Sequence, residues 1–154
     1  MTSELLMHAV RRHCSCCFVS SCSEGKCEIR LPQSCSCLSG TLYQSNHNSS
    51  IRLCDCIVFW SQRTSDIASA VELKGGGMPA NRALDQLQGG ANVVEQMVEP
   101  QRQIRFYAVL VLRRLHPMEA RVLRRRRITF RGRARLAIIA HCGDRLEDVL
   151  RSEI

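Results

Sequence analysis

The sequence predicts an α/β fold formed by a single domain that spans residues 1–154. Two apolar stretches at 50–60 and 67–74 are separated by a short polar turn, and a third at 104–112 follows a segment of helical periodicity at 78–99. Strands that alternate with helices in this way are typical of α/β domains. With 154 residues and 45% hydrophobic side chains, the chain is long enough for one core and short for two.

The N-terminal part of the chain combines one helical segment with a cysteine-rich one. Residues 2–12 place Leu5, Leu6 and Ala9 at helical spacing, with Thr2 or Ser3 as the capping residue. Residues 14–50 are rich in Ser, Cys and Asn, and we expect a Cys-rich insertion or irregular segment there. Its two weak strand candidates are 27–32 and 39–44.

Residues 50–112 are predicted to form the core of the domain. The strands at 50–60 and 67–74 favour an antiparallel hairpin, which "GGG" at 75–77 ends. Pro79 stands near the start of the helix at 78–99, and Ala83, Leu84 and Leu87 begin its apolar face. The uninterrupted apolar run at 104–112 is typical of a buried central strand.

Residues 113–154 are predicted to form an Arg-rich hairpin and a C-terminal helix. A short helix is expected at 117–125, followed by strands at 127–130 and 134–140. Asp144 is expected to cap the final helix.

The net charge of +8 is concentrated in one part of the chain. Residues 101–135 contain twelve Arg and one acid, Glu119. Such a basic face suits a nucleic acid, with DNA favoured, because neutralising phosphates releases counterions. The alternative is a solvated face in an Arg-rich composition, since 20 of the 22 basic residues are Arg. The candidate nucleic-acid-binding residues are Arg113, Arg114, Arg124, Arg125, Arg126, Arg127, Arg131 and Arg133.

Ten cysteines are the second anomaly of the composition, and nine of them lie between positions 14 and 56. The N-terminus has no secretory signal pattern and the longest apolar runs are far below the roughly 20 residues of a spanning helix. We therefore expect a soluble, cytoplasmic protein that does not engage a membrane, with reduced thiols or a metal site rather than disulfides. Cys54 and Cys56 are expected to be small apolar residues on the buried face of their strand.

A four-ligand Zn²⁺ site in the N-terminal cluster is one alternative for these cysteines, and free thiols are the other. No pair of C-x₂-C knuckles with zinc-finger spacing is present. The candidate zinc ligands are Cys14, Cys17, Cys22, Cys27, Cys35 and Cys37, with Cys16, His13 and His47 as further donors.

One group of residues in the hairpin points to chemistry. Asp55 interrupts the apolar stretch "CDCIVFW", and "VELK" ends the second strand with Glu72, Leu73 and Lys74. Because side chains alternate along a strand, Glu72 and Lys74 share a face, and pairing of the strands could bring Asp55 to them. Two carboxylates suit a hard divalent ion such as Mg²⁺ or Mn²⁺. The alternative is an exposed hairpin face on which these charges are incidental.

The segments "CDCIVF", "VELKGG" and the helix containing "ALDQL" resemble the PD-(D/E)xK nuclease superfamily over about residues 50–112. The resemblance implies a restriction-endonuclease-like fold, with a mixed β-sheet flanked by helices and 14–50 as an insertion. It also implies a Mg²⁺-dependent endonuclease in which metal-activated water hydrolyses a phosphodiester. Cys54 stands where the family has Pro, and Glu4 is a candidate for the acid on the first helix, where no acid is assigned.

The roles that the resemblance implies can be assigned residue by residue. Asp55, Glu72 and the Leu73 carbonyl would hold the metal, Lys74 would be the catalytic lysine, and Gln86 would be an accessory polar residue. A homodimer is compatible with this prediction. Two other classes remain open: an inactive nucleic-acid- or protein-binding module on the same fold, and a zinc-stabilised Cys-rich interaction domain.

Overall fold

The computed structural model describes residues 2–47, 50–63, 65–74 and 79–153. The predicted "GGG" break at 75–77 lies outside these residues, as do the side chains of Thr2, Ser3 and Glu4. The helices in the described part are α1 (Thr2–Arg11), α2 (Gly40–His47), α3 (Ala80–Met97), α4 (Pro117–Arg125) and α5 (Leu146–Val149). Its strands are β1 (Phe18–Val19), β2 (Cys22–Glu24), β3 (Cys27–Ile29), β4 (Ser36–Ser39), β5 (Cys56–Gln62), β6 (Ser65–Lys74), β7 (Arg105–Leu112), β8 (Arg127–Phe130), β9 (Arg133–Leu136) and β10 (Ile138–His141).

A mixed six-stranded sheet organises the fold, in the order β1-β4-β5-β6-β7-β10. The strands β4, β5 and β6 pair antiparallel, whereas β7 runs parallel to β6 and β10 runs parallel to β7. The helix α3 makes the crossover from β6 to β7, because two parallel strands cannot be joined by a tight turn. The prediction of an α/β fold with a sheet flanked by helices is confirmed.

The sheet has a hydrophobic core on each side. On one side α1, α3 and β8 cover Ile57, Phe59 and Ala70. On the other side the hairpin β2–β3 and the C-terminal segment around Leu146 cover Val58 and Trp60. The Cys-rich segment therefore supplies part of one of the two covering layers of the sheet.

Two adjacent glycines bring α3 close to the sheet. A Cβ atom at Gly90 would lie 2.7 Å from both the Ala70 Cβ and the Cys54 Sγ. A Cβ atom at Gly89 would overlap the carbonyl oxygen of Arg52. Glycine is unfavourable inside a helix, but at these two positions the close packing of α3 on the sheet requires it.

The predicted antiparallel hairpin is confirmed, with β5 paired to β6 from Cys56↔Val71 to Gln62↔Ser65. The first strand begins at Cys56, later than expected, because the chain bends at Asp55. This bend breaks the alternation of side chains. The prediction that Cys54 and Cys56 share a buried face was therefore wrong: both are buried, but they lie in the cores on opposite sides of the sheet.

Three other predicted elements differ from the structure. Residues 39–44 were expected as a strand, but the chain enters α2 at Gly40 and the strand is β4 immediately before it. The predicted strand at 134–140 is divided at Ala137 between β9, which pairs with β8, and β10, which joins the main sheet. The last helix is only Leu146–Val149, and the Asp144 carboxylate accepts a hydrogen bond from the His141 N–H instead of capping it.

The cysteines also depart from the expectation of reduced thiols. Three disulfides join Cys14 to Cys17, Cys22 to Cys56, and Cys27 to Cys142. Their Cα–Cα separations of 5.6, 6.2 and 4.9 Å lie within the range that a disulfide can span. Two of the three bonds tie the hairpin β2–β3 to the main sheet and to the segment after β10.

Among the described residues, no helix combines the length and the apolar character that crossing a membrane would require.

Candidate metal and catalytic site

The site begins where the chain bends away from the hairpin. In the register of β5 and β6, Asp55 stands opposite Glu72, one step beyond the last ladder pair at Cys56↔Val71. There the Asp55 carbonyl accepts a hydrogen bond of 2.8 Å from the Gly40 N–H. A side chain at position 40 would overlap the carbonyl oxygen of Cys54, so glycine permits this crossing.

The two carboxylates take over the hydrogen bonds that the ladder loses at the bend. The Asp55 N–H donates to Glu72 Oε1 over 3.1 Å, and the Leu73 N–H donates to Asp55 Oδ2 over 2.8 Å. Each side chain is therefore fixed by the backbone of the other strand, and no described backbone donor occupies the second oxygen of either carboxylate. The two carboxyl groups also lie at hydrogen-bonding range of each other. Since the N–H and C=O of a strand residue point to the same side, the Leu73 carbonyl is directed toward Asp55 as well.

Burial and mutual repulsion dominate the electrostatics of this pair. Glu72 is 1% exposed, and burial, followed by the charge of Asp55, raises its pKa to about 9. Burial also raises the pKa of Asp55 to about 6, against a lowering by the Leu73 N–H. At neutral pH Asp55 is therefore mainly ionised while Glu72 keeps its proton. A cation that binds both carboxylates would have to displace that proton.

A third carboxylate, which the sequence did not indicate, contributes to this environment. Glu24, at the end of β2, interacts with the Asp55 side chain by charge and at hydrogen-bonding range, and both effects raise the pKa of Asp55. The disulfide from Cys22 to Cys56 lies close to both acids in sequence, since Cys22 is two residues before Glu24 and Cys56 directly follows Asp55. This disulfide would have indicated that Glu24 lies near Asp55, but pairings among ten cysteines cannot be deduced from sequence alone.

Lys74 shares a strand with Glu72, but its ammonium group is directed elsewhere. Its Nζ lies 2.7 Å from Glu119 Oε1 on α4, and within the described ranges it forms no other ion pair. The structure thus brings Asp55 and Glu72 together without bringing the Lys74 ammonium to them. Glu119 carried a signal in the sequence, because it is the only acid in the Arg-rich stretch 101–135.

Gln86 lies on α3 at the same end of the sheet. One turn further along the helix, Gly90 packs on Ala70, and α3 runs opposite to β6. A helical turn of about 5.4 Å corresponds to roughly two strand residues, which places Gln86 above the level of Glu72. Its Oε1 is buried and has no hydrogen-bond partner in the described part of the chain. A buried acceptor without a donor is costly and calls for a ligand or a water molecule.

The predicted nucleic-acid-binding arginines are divided between intramolecular contacts and exposed positions. Arg126 pairs with Asp85, and Arg131 donates to the carbonyls of Glu99 and Arg102. The other six are exposed, and their side chains make no hydrogen bond or ion pair with a described residue. Those six are Arg113, Arg114, Arg124, Arg125, Arg127 and Arg133.

The exposed arginines do not form one face. Arg113 and Arg114 directly follow Leu112, which pairs with Lys74, so they lie at the carboxylate end of the sheet. Arg127 and Arg133 instead line a cleft beside the first half of β7. The first pair therefore lies at the end of the sheet that carries Asp55 and Glu72, and the second pair does not.

No family model matches this sequence, and neither a curated protein nor a solved structure matches it. The interpretation of the site therefore depends on its own geometry.

The predicted zinc ligands do not assemble into one site, although all of them lie in the described part. The sulfurs of Cys14, Cys16 and Cys17 lie within 4.8 Å of one another and could hold a metal ion such as Zn²⁺. That would require the Cys14–Cys17 disulfide to be reduced. Cys35 and Cys37 stand apart from this cluster, and burial raises the pKa of Cys37 to about 12, which suits a structural thiol. The remaining candidates, Cys22 and Cys27, are in disulfides.

Proposed function

We propose that this protein is a metal-dependent nuclease of the restriction-endonuclease-like type, which hydrolyses phosphodiester bonds in nucleic acid with water as the nucleophile. The observation that carries the proposal is the pair Asp55 and Glu72, each hydrogen-bonded to the backbone of the other strand, at the end of the hairpin opposite its turn. Two carboxylates that a fold holds together at the cost of burial and repulsion are typical of a functional site.

The residues at this point fit a divalent cation. Asp55 and Glu72 each have one oxygen that no described backbone donor occupies, and the Leu73 carbonyl points to the same side. These are hard oxygen donors of the kind that Mg²⁺ and Mn²⁺ prefer. When bound, such an ion would polarise the phosphate and lower the pKa of a bound water. It would also relieve the repulsion within the pair.

The order of the elements supports the assignment to the PD-(D/E)xK group. Asp55 lies at the start of one strand, Glu72 and Lys74 lie on its hairpin partner, and Gln86 lies on the helix that follows. The buried Gln86 Oε1, which lacks a donor, is consistent with a contact to a metal-bound water. Residues 14–50 would then be an insertion relative to that group, and they supply β1 and β4 to the main sheet.

The remaining groups would bind and orient the substrate. Arg113 and Arg114 are exposed at the carboxylate end and would contact the phosphate backbone, with DNA as the favoured nucleic acid. Lys74 would stabilise charge on the scissile phosphate. To reach the phosphate, the Lys74 ammonium would have to leave Glu119, with which it is paired in the structure. Until then the ion pair with Glu119 keeps the ammonium at this end of the sheet.

Cleavage assays on matched variants test the proposal. The purified protein is incubated with plasmid, linear and single-stranded DNA and with RNA, in Mg²⁺, Mn²⁺ or chelator. We expect metal-dependent cutting of at least one substrate, and its loss in Asp55→Ala and Lys74→Ala with salt-sensitive binding retained. Asp85→Asn is the control, because Asp85 is a surface aspartate paired to Arg52 and Arg126. Equal cutting by wild type and both site variants would refute the assignment.

The ion pair of Lys74 with Glu119 favours a second candidate function, a nucleic-acid-binding module that has lost catalysis. In that case the protein would bind DNA or RNA with a steep salt dependence but cut neither in any metal. Glu119→Gln separates the two functions, because freeing the lysine should change the cleavage rate of a nuclease and leave a silent module silent.

A further inference from the structure

The strand β7 has an outer edge that the main sheet leaves half unpaired. On one side β6 pairs with it from Arg105 to Leu112, but on the other side β10 pairs with it only from Val109 onward. The Leu112 carbonyl accepts a hydrogen bond from the Cys142 N–H, so this carbonyl points toward the β10 side. Backbone groups of alternate residues point to the same side, which directs the N–H and C=O of Phe106 to the open edge.

A cleft of about 790 Å³ runs along this open edge. It forms because the chain departs from the main sheet at Ala137, and the preceding β9 pairs with β8 instead of with β7. No described residue supplies a backbone partner for Phe106 on this side. The cleft thus exposes backbone hydrogen-bonding groups that an added strand could satisfy.

The walls of this cleft are strongly basic. Arg105, Arg127, Arg133 and Arg135 all line it, are exposed, and form no ion pair with a described carboxylate. Glu153 is the only acid among the described residues that line the cleft. The positive potentials of four guanidinium groups around one cleft add together, and this attracts an anionic ligand.

The aromatic residues of the cleft favour a peptide over a single-stranded nucleic acid. Phe106, Tyr107 and Phe130 are all buried, and the Phe106 and Phe130 rings stack on each other at 4.8 Å between centroids. Their faces are therefore not available to stack bases, which is the main source of affinity for single strands. A peptide needs only the backbone edge and the charges.

We propose that this cleft binds an extended acidic segment of a partner protein, which pairs with β7 as an added strand. Residues 105–108 provide an edge of about 13 Å, at roughly 3.3 Å per residue, so four or five peptide residues would pair. Acidic side chains would meet the arginines, and alternate apolar side chains would contact Leu136 and Ile138, which line the cleft. The site lies at the end of β7 away from the carboxylate pair and does not depend on nuclease activity.

Fluorescence anisotropy with a labelled eight-residue peptide of alternating Glu and Val tests this proposal. We expect saturable binding by the full chain. Methylating the backbone N–H groups of every second peptide residue should weaken binding about tenfold for the set that faces β7 and change it little for the set that faces away. Replacing Glu with Lys in the peptide should abolish binding.

Protein variants complete the test. Arg127→Gln with Arg135→Gln should weaken peptide binding several-fold, whereas the control pair Arg113→Gln with Arg114→Gln, at the other end of the sheet, should not. Equal binding of both methylated peptides would overturn strand addition. Tighter binding of a single-stranded oligonucleotide that also depends on Arg127 and Arg135 would overturn the peptide as the ligand.

Discussion

Replacing Glu72 with glutamine should stabilise the metal-free protein even though it removes a proposed metal ligand. Burial and the neighbouring Asp55 raise the pKa of Glu72 from an ordinary value of 4.5 to about 9. Folding at pH 7 must therefore add a proton to a carboxyl group that is ionised in the unfolded chain. At about 1.36 kcal/mol for each pH unit between 4.5 and 7, this costs about 3 kcal/mol.

The sign of the pH dependence follows from the raised pKa. Below about pH 4.5 the carboxyl is protonated in both states and costs nothing, and between there and about pH 9 the penalty grows with pH. Glu72→Gln keeps a carbonyl acceptor for the Asp55 N–H and has no proton to gain. Its melting temperature should match wild type near pH 4 and exceed it by roughly 6–12 °C at pH 7.

Thermal unfolding in chelator across pH 4 to 9 is the measurement. Glu28→Gln is the control, because Glu28 is an exposed glutamate whose side chain forms no hydrogen bond or ion pair with a described residue. Adding Mg²⁺ or Mn²⁺ should raise the melting temperature of wild type and not of Glu72→Gln, since a ligand stabilises only the state that binds it. A variant that is less stable than wild type at every pH would refute the reasoning, because Glu72 would then have been paired rather than uncompensated.

Two further predictions concern the fold. Gly89→Ala should destabilise the protein by about 2–3 kcal/mol in urea unfolding, because the added Cβ overlaps the Arg52 carbonyl. The control Gln96→Ala, on the exposed face of the same helix, should leave the stability unchanged. Equal stabilities of the two variants would show that α3 is not in close contact with the sheet. Peptide mapping without reductant should recover Cys27 joined to Cys142. Replacing both cysteines with serine should lower the free energy of unfolding by about 4–5 kcal/mol, because the bond spans 115 residues. Failure to recover the linked peptide would contradict the pairing.

The sequence was most informative where one local pattern determines the result. Period-two alternation and a short turn predicted the hairpin of β5 and β6, and a 3.6-residue period predicted α3, because these patterns depend on neighbours along the chain. The proximity of Asp55 to Glu72 follows from the hairpin register in the same way.

Contacts between distant parts of the chain were not predictable in this way. Lys74 and Glu119 are 45 residues apart, and nothing local to either residue indicates that α4 returns to the end of β6. The break at Ala137 was missed for a related reason: the stretch 134–140 is continuous in sequence, but its two halves pair with different strands. The strand with which each half pairs is determined by tertiary contacts, which β propensity does not encode.

The Cys-rich segment is part of the proposed site rather than an addition to a complete domain. Its hairpin β2–β3 covers one face of the sheet, and the disulfide from Cys22 to Cys56 fixes it beside the bend at Asp55. This fixes Glu24 close enough to raise the pKa of Asp55. The segment therefore adds negative charge to the site, which strengthens the attraction for a divalent cation and increases the cost of leaving the site without one. An isolated core of 50–112 would lack both this acid and one wall of the hydrophobic core.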